Sequence, residues 1–117
     1  MKILVGRDNV NPNKLDNDGR TPLFNAAASG REGVVKILLG RHGTNPDAPT
    51  INGRTPLFRA AGNGEVGVVK ILLGWDDVNP NKLDKDGKTP LDRATEEGRQ
   101  GVIALLQPLG STAPRLP

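Results

Sequence analysis

Gly19-Arg20-Thr21-Pro22-Leu23-Phe24 returns as Gly53-Arg54-Thr55-Pro56-Leu57-Phe58 and again as Gly87-Lys88-Thr89-Pro90-Leu91-Asp92, at a constant spacing of 34 residues. A second block keeps the same phase. Gly33-Val34-Val35-Lys36-Ile37-Leu38-Leu39-Gly40 is repeated residue for residue from Gly67 to Gly74, and a degenerate third copy runs from Gly101 to Gln107. A third block, Val10-Asn11-Pro12-Asn13-Lys14-Leu15-Asp16, recurs from Val78 to Asp84. Three blocks in one register make the chain an internal repeat, and a repeat of this period sets the fold.

Each copy has a local physical reading. Asp16-Asn17-Asp18-Gly19 is a turn sequence whose glycine can take positive φ, and Asp86-Gly87 repeats its end. Thr21, Thr55 and Thr89 suit the N-cap of a helix, and the prolines after them suit its first position, where a missing N–H is harmless. Leu23, Ala26 and Ala27 give that helix a face of small residues. Gly30, Gly64 and Gly98 fall where it would end in a left-handed cap. A second helix follows, with Val34, Val35, Leu38 and Leu39 at helical spacing. A turn and two short helices cannot stand alone in water, so the units must stack into a solenoid. The expectation is six helices in three antiparallel pairs, an N-terminal stub, and no extended sheet.

The order of turn, G-x-TPL, x-AA-x-x-G, VV-x-x-LL and VN closely resembles the ankyrin repeat over residues 10–107. The resemblance implies an all-α, ankyrin-type solenoid of stacked helix–turn–helix repeats joined by β-turn or hairpin loops. Its repeats would span residues 10–43, 44–77 and 78–107. Three departures stand out. The histidine usual after TPL is Phe24, Phe58 and Asp92, so its side-chain hydrogen bond to neighbouring turns is missing. Thr50 replaces the acidic residue of Asp16 and Asp84, and the first two spacers carry one extra residue.

The ends read differently from the middle. Lys2 to Arg7 aligns with Lys36 to Arg41, so residues 1–9 read as the remnant of a preceding repeat, from a longer array or a recombinant boundary. Such a stub would leave the Val34-Val35-Leu38-Leu39 and Ala26-Ala27 helices partly open. The chain is then expected to be marginally stable or to self-associate through its N-terminal end. In the third repeat Asp92, Thr95, Glu96, Glu97 and Gln107 stand where the inner copies have less polar residues, which suits a capping repeat. Residues 108–117, with three prolines and no period, read as a flexible Pro-rich tail.

Composition agrees with a repeat. Of 117 residues 35% are apolar and only 3% aromatic, which suits thin layers of small and aliphatic side chains better than one large core. There is no cysteine, so neither disulfides nor thiolate metal sites are available. Met1-Lys2-Ile3-Leu4-Val5 is too short for a secretory apolar core, and no run approaches a membrane span. An intracellular protein, cytoplasmic or nuclear, is the expectation. The net charge of +3 is spread among interspersed acids, a solvated surface before it is a polyanion site.

Chemistry finds little support. Asp16-x-Asp18-Gly and Asp84-x-Asp86-Gly look like the start of a calcium loop, but Arg20-Thr21-Pro22 supplies neither the third oxygen nor the closing glutamate. They are read as turns. His42 is the only histidine, so no triad or His-based zinc site can be assembled, and glycines 34 apart build no phosphate cradle. No enzyme activity and no cofactor are expected.

Binding is favoured, because ankyrin partners lie across the turn tips and first helices on the concave side. The resemblance maps that surface onto Asn17, Asp18, Arg20, Ala28 and Ser29 in the first repeat. The second gives Ile51, Asn52, Arg54, Gly62 and Asn63, and the third Lys85, Asp86, Lys88, Glu96 and Glu97. These positions differ between copies while the framework hardly changes. Arg20, Arg54 and Lys88 share one place in successive turns and would line up as a row of cations. Within the turns Arg20 can pair with Asp18 and Lys88 with Asp86, whereas Arg54 has no acid ahead of it. An acidic peptide could use the row, with Ile51 as an apolar contact. Trp75, in a loop where Arg7 and Arg41 are its counterparts, is a further candidate anchor. The leading reading is a non-catalytic protein-interaction scaffold that binds a protein or acidic peptide. The alternative is a structural segment of a longer array. Nucleic-acid binding lacks its usual basic patch with interleaved aromatics.

Overall fold

The computed structural model describes residues 13–110. Each repeat begins with a tight turn tip. The Asp16 N–H donates to the Arg20 carbonyl (2.9 Å) and the Gly19 N–H to the Asp16 carbonyl (3.0 Å), and residues 50–54 and 84–88 repeat both bonds. The residue opening each tip also closes it with its side chain. Asp16 Oδ1 accepts from the N–H groups of Asp18 (2.8 Å) and Arg20 (2.9 Å), and Asp84 Oδ1 does the same for Asp86 and Lys88. Thr50 fills this role with one hydroxyl at 3.3 Å to Asn52 and Arg54, so the departure from the acidic residue preserves the turn. A side chain at Gly53 would be strained. The φ of this residue is +77°, and a Cβ there would sit 3.0 Å from the Lys85 nitrogen of the next tip.

Six helices follow from these tips: α1 Pro22–Ala28, α2 Glu32–Leu39, α3 Pro56–Asn63, α4 Val66–Leu73, α5 Pro90–Glu96 and α6 Gln100–Gly110. The first helix of every pair starts as its sequence requires, with a threonine hydroxyl accepting the N–H three residues on at 3.1 Å. Asp92 returns the bond to the Thr89 N–H (2.9 Å), completing a capping box. The residue in the usual histidine position is thus a local cap in the third repeat. At the other end Gly30, Gly64 and Gly98 take φ of 72°, 75° and 70°. Paired bonds such as Arg31 N–H to the Ala26 carbonyl (3.0 Å) and Gly30 N–H to Ala27 (3.2 Å) close each helix and reverse the chain.

The helices pack as two layers. α1, α3 and α5 lie side by side, α2, α4 and α6 form the second layer, and each pair is also packed on itself. Ala26, Ala27, Ala60, Ala61 and Ala94 are buried and let the first helices approach closely, more extensively than the second ones do. Leu23, Leu57, Val35, Val69, Leu72, Val102 and Leu106 fill the space between the layers. Side chains also tie the loops together: Asn13 Oδ1 accepts from the Asn45 N–H (2.9 Å), and Asp47 Oδ2 from the Asn79 N–H (2.7 Å). Among the described residues there is no strand.

Two expectations about the ends need correction. α6 runs on through Pro108 to Gly110, so the tail does not begin at residue 108. A proline in the last turn forfeits a single intrahelical bond, to Ala104, and its fixed φ is helical. On the N-terminal side Ala26, Ala27, Val35 and Leu39 are buried, while Val34 is 42% and Ile37 64% exposed. The opening is therefore confined to one face of α2. The stub expected at residues 1–9 and the end of the tail lie outside the described residues.

Candidate functional site

The turn tips and the starts of α1, α3 and α5 form one surface. Phe24 and Phe58, which stand in the usual histidine position, are buried beneath it. Each carries an arginine over its ring: Arg20 lies 5.6 Å from the Phe24 centroid and Arg54 5.3 Å from that of Phe58. Such a contact holds the guanidinium by ring electrostatics and leaves its N–H donors available to other groups. The missing histidine hydrogen bond is thus replaced by a cation–ring contact within the same repeat.

The three aligned cations are answered unequally. Arg20 meets Asp18 at only 3.9 Å, with both side chains substantially exposed, a weak pair. Arg54, expected to lack an acid, finds one across the repeat boundary: its Nε reaches Asp84 Oδ2 at 3.3 Å, and a second nitrogen lies 4.0 Å from Asp86. The reason is stacking, which brings the next tip alongside and supplies the acid that Arg54's own turn lacks. The Asp84 carboxylate is 1% exposed. Burial alone would raise its pKa, but the N–H groups of Lys88 and Asp86 and the Arg54 guanidinium outweigh it and hold the carboxyl below its ordinary value. Lys88 turns away from Asp86 to Glu96, 2.6 Å distant. That hydrogen bond raises the lysine pKa and lowers that of Glu96. The expected row of free cations is therefore largely neutralised in the second and third tips.

A different cation completes the surface. Arg59, in the first turn of α3, lies 5.9 Å from the Phe24 centroid of the preceding repeat. Together with Arg20, Arg54, Ile51 and Asn52 it lines a recess of about 190 Å³ between the first two tips. Burial, then the charges of Arg54, Arg93 and Arg20, hold Arg59 below the usual guanidinium range, and Glu97 acts the other way without offsetting them. Among the described residues it has no ion pair. Its counterpart Arg93 reaches Glu96 at 3.5 Å and Glu97 at 3.6 Å. Neither arginine was singled out by the sequence reading. The signal was present, since positions 25, 59 and 93 are Asn, Arg and Arg among nearly invariant neighbours.

Of the other candidates, Asn17, Asp18, Ser29, Asn52, Lys85 and Asp86 are exposed, and Ile51 is 68% exposed on the rim of the recess. Asn63 donates to the Ala28 carbonyl at 3.0 Å and so also ties two repeats together. Trp75, 39% exposed, sits in the turn after α4 in the second-helix layer and does not line the recess. His42 is an exposed loop residue. The carboxylates of Asp16 and Asp84 are taken up by backbone N–H groups of their own tips, and no cluster of three metal-ligating side chains occurs among the described residues. No helix among them is long and apolar enough to cross a membrane.

No curated protein matches the sequence. A family model of ankyrin repeats in three copies matches residues 42–113, and one of a single ankyrin repeat matches residues 18–51. With this match over more than half its length, and with paired helices stacked on turn tips, the chain belongs to the ankyrin repeat family.

Proposed function

We infer that this protein is a non-catalytic interaction module that binds a partner protein or peptide across its turn tips and first helices. Ankyrin repeats are generally protein-interaction modules and typically have no catalytic activity. One observation carries the reading for this chain: its copies are alike where they are buried and unlike where this surface is exposed. Leu23 and Leu57, Ala27 and Ala61, and Val35 and Val69 are identical and buried. The exposed tip position 17, 51, 85 is Asn, Ile and Lys, and position 29, 63, 97 is Ser, Asn and Glu. Stacking explains the identities, and apart from the Asn63 bond to Ala28 it gives these exposed differences no role.

The test uses two variants with equal change in charge. Arg20→Glu with Arg59→Glu alters the proposed surface without touching the Arg54–Asp84 pair. Lys36→Glu with Lys70→Glu alters exposed positions of the second-helix layer. A partner captured by the wild type should be lost from the first variant and kept by the second. Equal retention by both would put binding off this surface, and no partner at all would favour the alternative of a purely structural segment.

A further inference from the structure

We propose that the recess between the first two turn tips receives one anionic side chain of a bound peptide, a carboxylate or a phosphate, held by Arg59 with Arg20 and Arg54 around it, while Ile51 on the rim contacts an adjoining apolar residue. This rests on the reading of the tips and first helices as the binding face. Arg93 holds the equivalent place in the third repeat. Three and four residues after it the sequence provides Glu96 and Glu97, and both reach its guanidinium at 3.5 and 3.6 Å. Three and four residues after Arg59 stand Gly62 and Asn63, both neutral. The same scaffold position is thus answered internally in the third repeat and left unanswered in the second.

The surroundings sharpen the preference. Arg59 is half-buried and shares the recess with Arg20 and Arg54, whose like charges an incoming anion offsets. Phe24 fixes the Arg20 and Arg59 guanidiniums from one side, 5.6 and 5.9 Å from its centroid, so their donors are oriented before any ligand arrives. The recess of about 190 Å³ has room for a side-chain head. Asp18 opposes an anion, but its side chain is 71% exposed and its 3.9 Å contact with Arg20 is easily exchanged.

The experiment follows the arginine Nε–Hε resonances of the ¹⁵N-labelled full chain during titration with sodium acetate and with sodium phosphate, against sodium chloride at matched ionic strength. The expected result is saturable shifts at Arg59 and Arg20, well above those at Arg93. Arg59→Gln should weaken binding about ten-fold, the loss of one charge-assisted pair of hydrogen bonds. Asn63→Glu, which places a carboxylate where Arg93 finds Glu97, should suppress the shifts with the guanidinium still present. Tighter binding of acetate assigns the site to Asp or Glu, and tighter binding of phosphate to a phosphorylated residue. Shifts that track chloride, spread evenly over all arginines, or persist in a folded Asn63→Glu chain would overturn the proposal. No partner is needed, so a saturable anion site without a captured partner would count against the interaction reading alone. A captured partner with no anion site would count against this proposal alone.

Discussion

Position 47 differs from its repeat counterpart, Asn13, by one atom of consequence. Asn13 accepts the Asn45 N–H through Oδ1 and donates through Nδ2 to the Gly43 carbonyl at 2.7 Å. Asp47 repeats the first bond with Asn79, but its Oδ1 is buried without a hydrogen-bond partner. By repeat equivalence it stands where the asparagine amide would donate to the Asp77 carbonyl. Burial raises the Asp47 pKa from 3.8, against the opposing Asn79 N–H and Lys82. A raised folded-state value means the native state holds the proton more tightly than the unfolded chain, so this group destabilises the fold at neutral pH. The penalty is relieved as pH falls through the raised value. Asp47→Asn should therefore stabilise the protein by about 1 kcal/mol at neutral pH, the worth of one restored hydrogen bond. The gap between the two melting curves should narrow on acidification, whereas a gap independent of pH would contradict this account. At this scale the sequence was only partly legible. Turn glycines, threonine caps and buried alanines follow from local chemistry and period. Which acid Arg54 chooses depends on the distance across a stacked boundary, and which one Lys88 chooses depends on the fold of its own repeat; periodicity contains neither.

The helices themselves were legible because every signal agreed. Thr55 illustrates the energetics: its hydroxyl is buried, caps the Phe58 N–H at 3.1 Å, and precedes a proline already set for the first helical position. Thr55→Ala should cost about 1 kcal/mol, measured by chemical denaturation, and an unchanged midpoint would remove the cap from the account. The turn tips carry a comparable dependence on Asp84, which satisfies two backbone N–H groups and Arg54 from a buried site. Asp84→Ala should cost about 2 kcal/mol or more, because it orphans those donors and leaves Arg54 without its nearest acid. A loss no larger than that of exposed-site substitutions would show that water replaces the carboxylate freely. Element ends were less legible than element cores, as α6 illustrates. Pro108 reads as a stop in sequence, yet in a last turn it is tolerated.

Across the whole molecule, stacking governs both stability and binding. Val34 and Val68 belong to identical octapeptides, yet they are 42% and 1% exposed. α2 of the preceding repeat packs against the helix that carries Val68, and among the described residues no helix packs against α2 from the other side. Val34 and Ile37 give α2 an apolar face that a second copy can cover. The sedimentation coefficient should therefore rise with concentration, and Val34→Lys with Ile37→Lys should abolish the rise. A strictly monomeric wild type would rule out this face as a self-association site. The opposite layer carries the central claim, that exposed differences between copies mark the binding surface. The most direct measurement is a hydrogen-exchange footprint of a display-selected peptide ligand on the full chain. The account predicts slowed exchange at residues 17–20, 51–54 and 85–88 and in the first turns of α1, α3 and α5. Protection confined to α2, α4 and α6, with the tips unchanged, would contradict it.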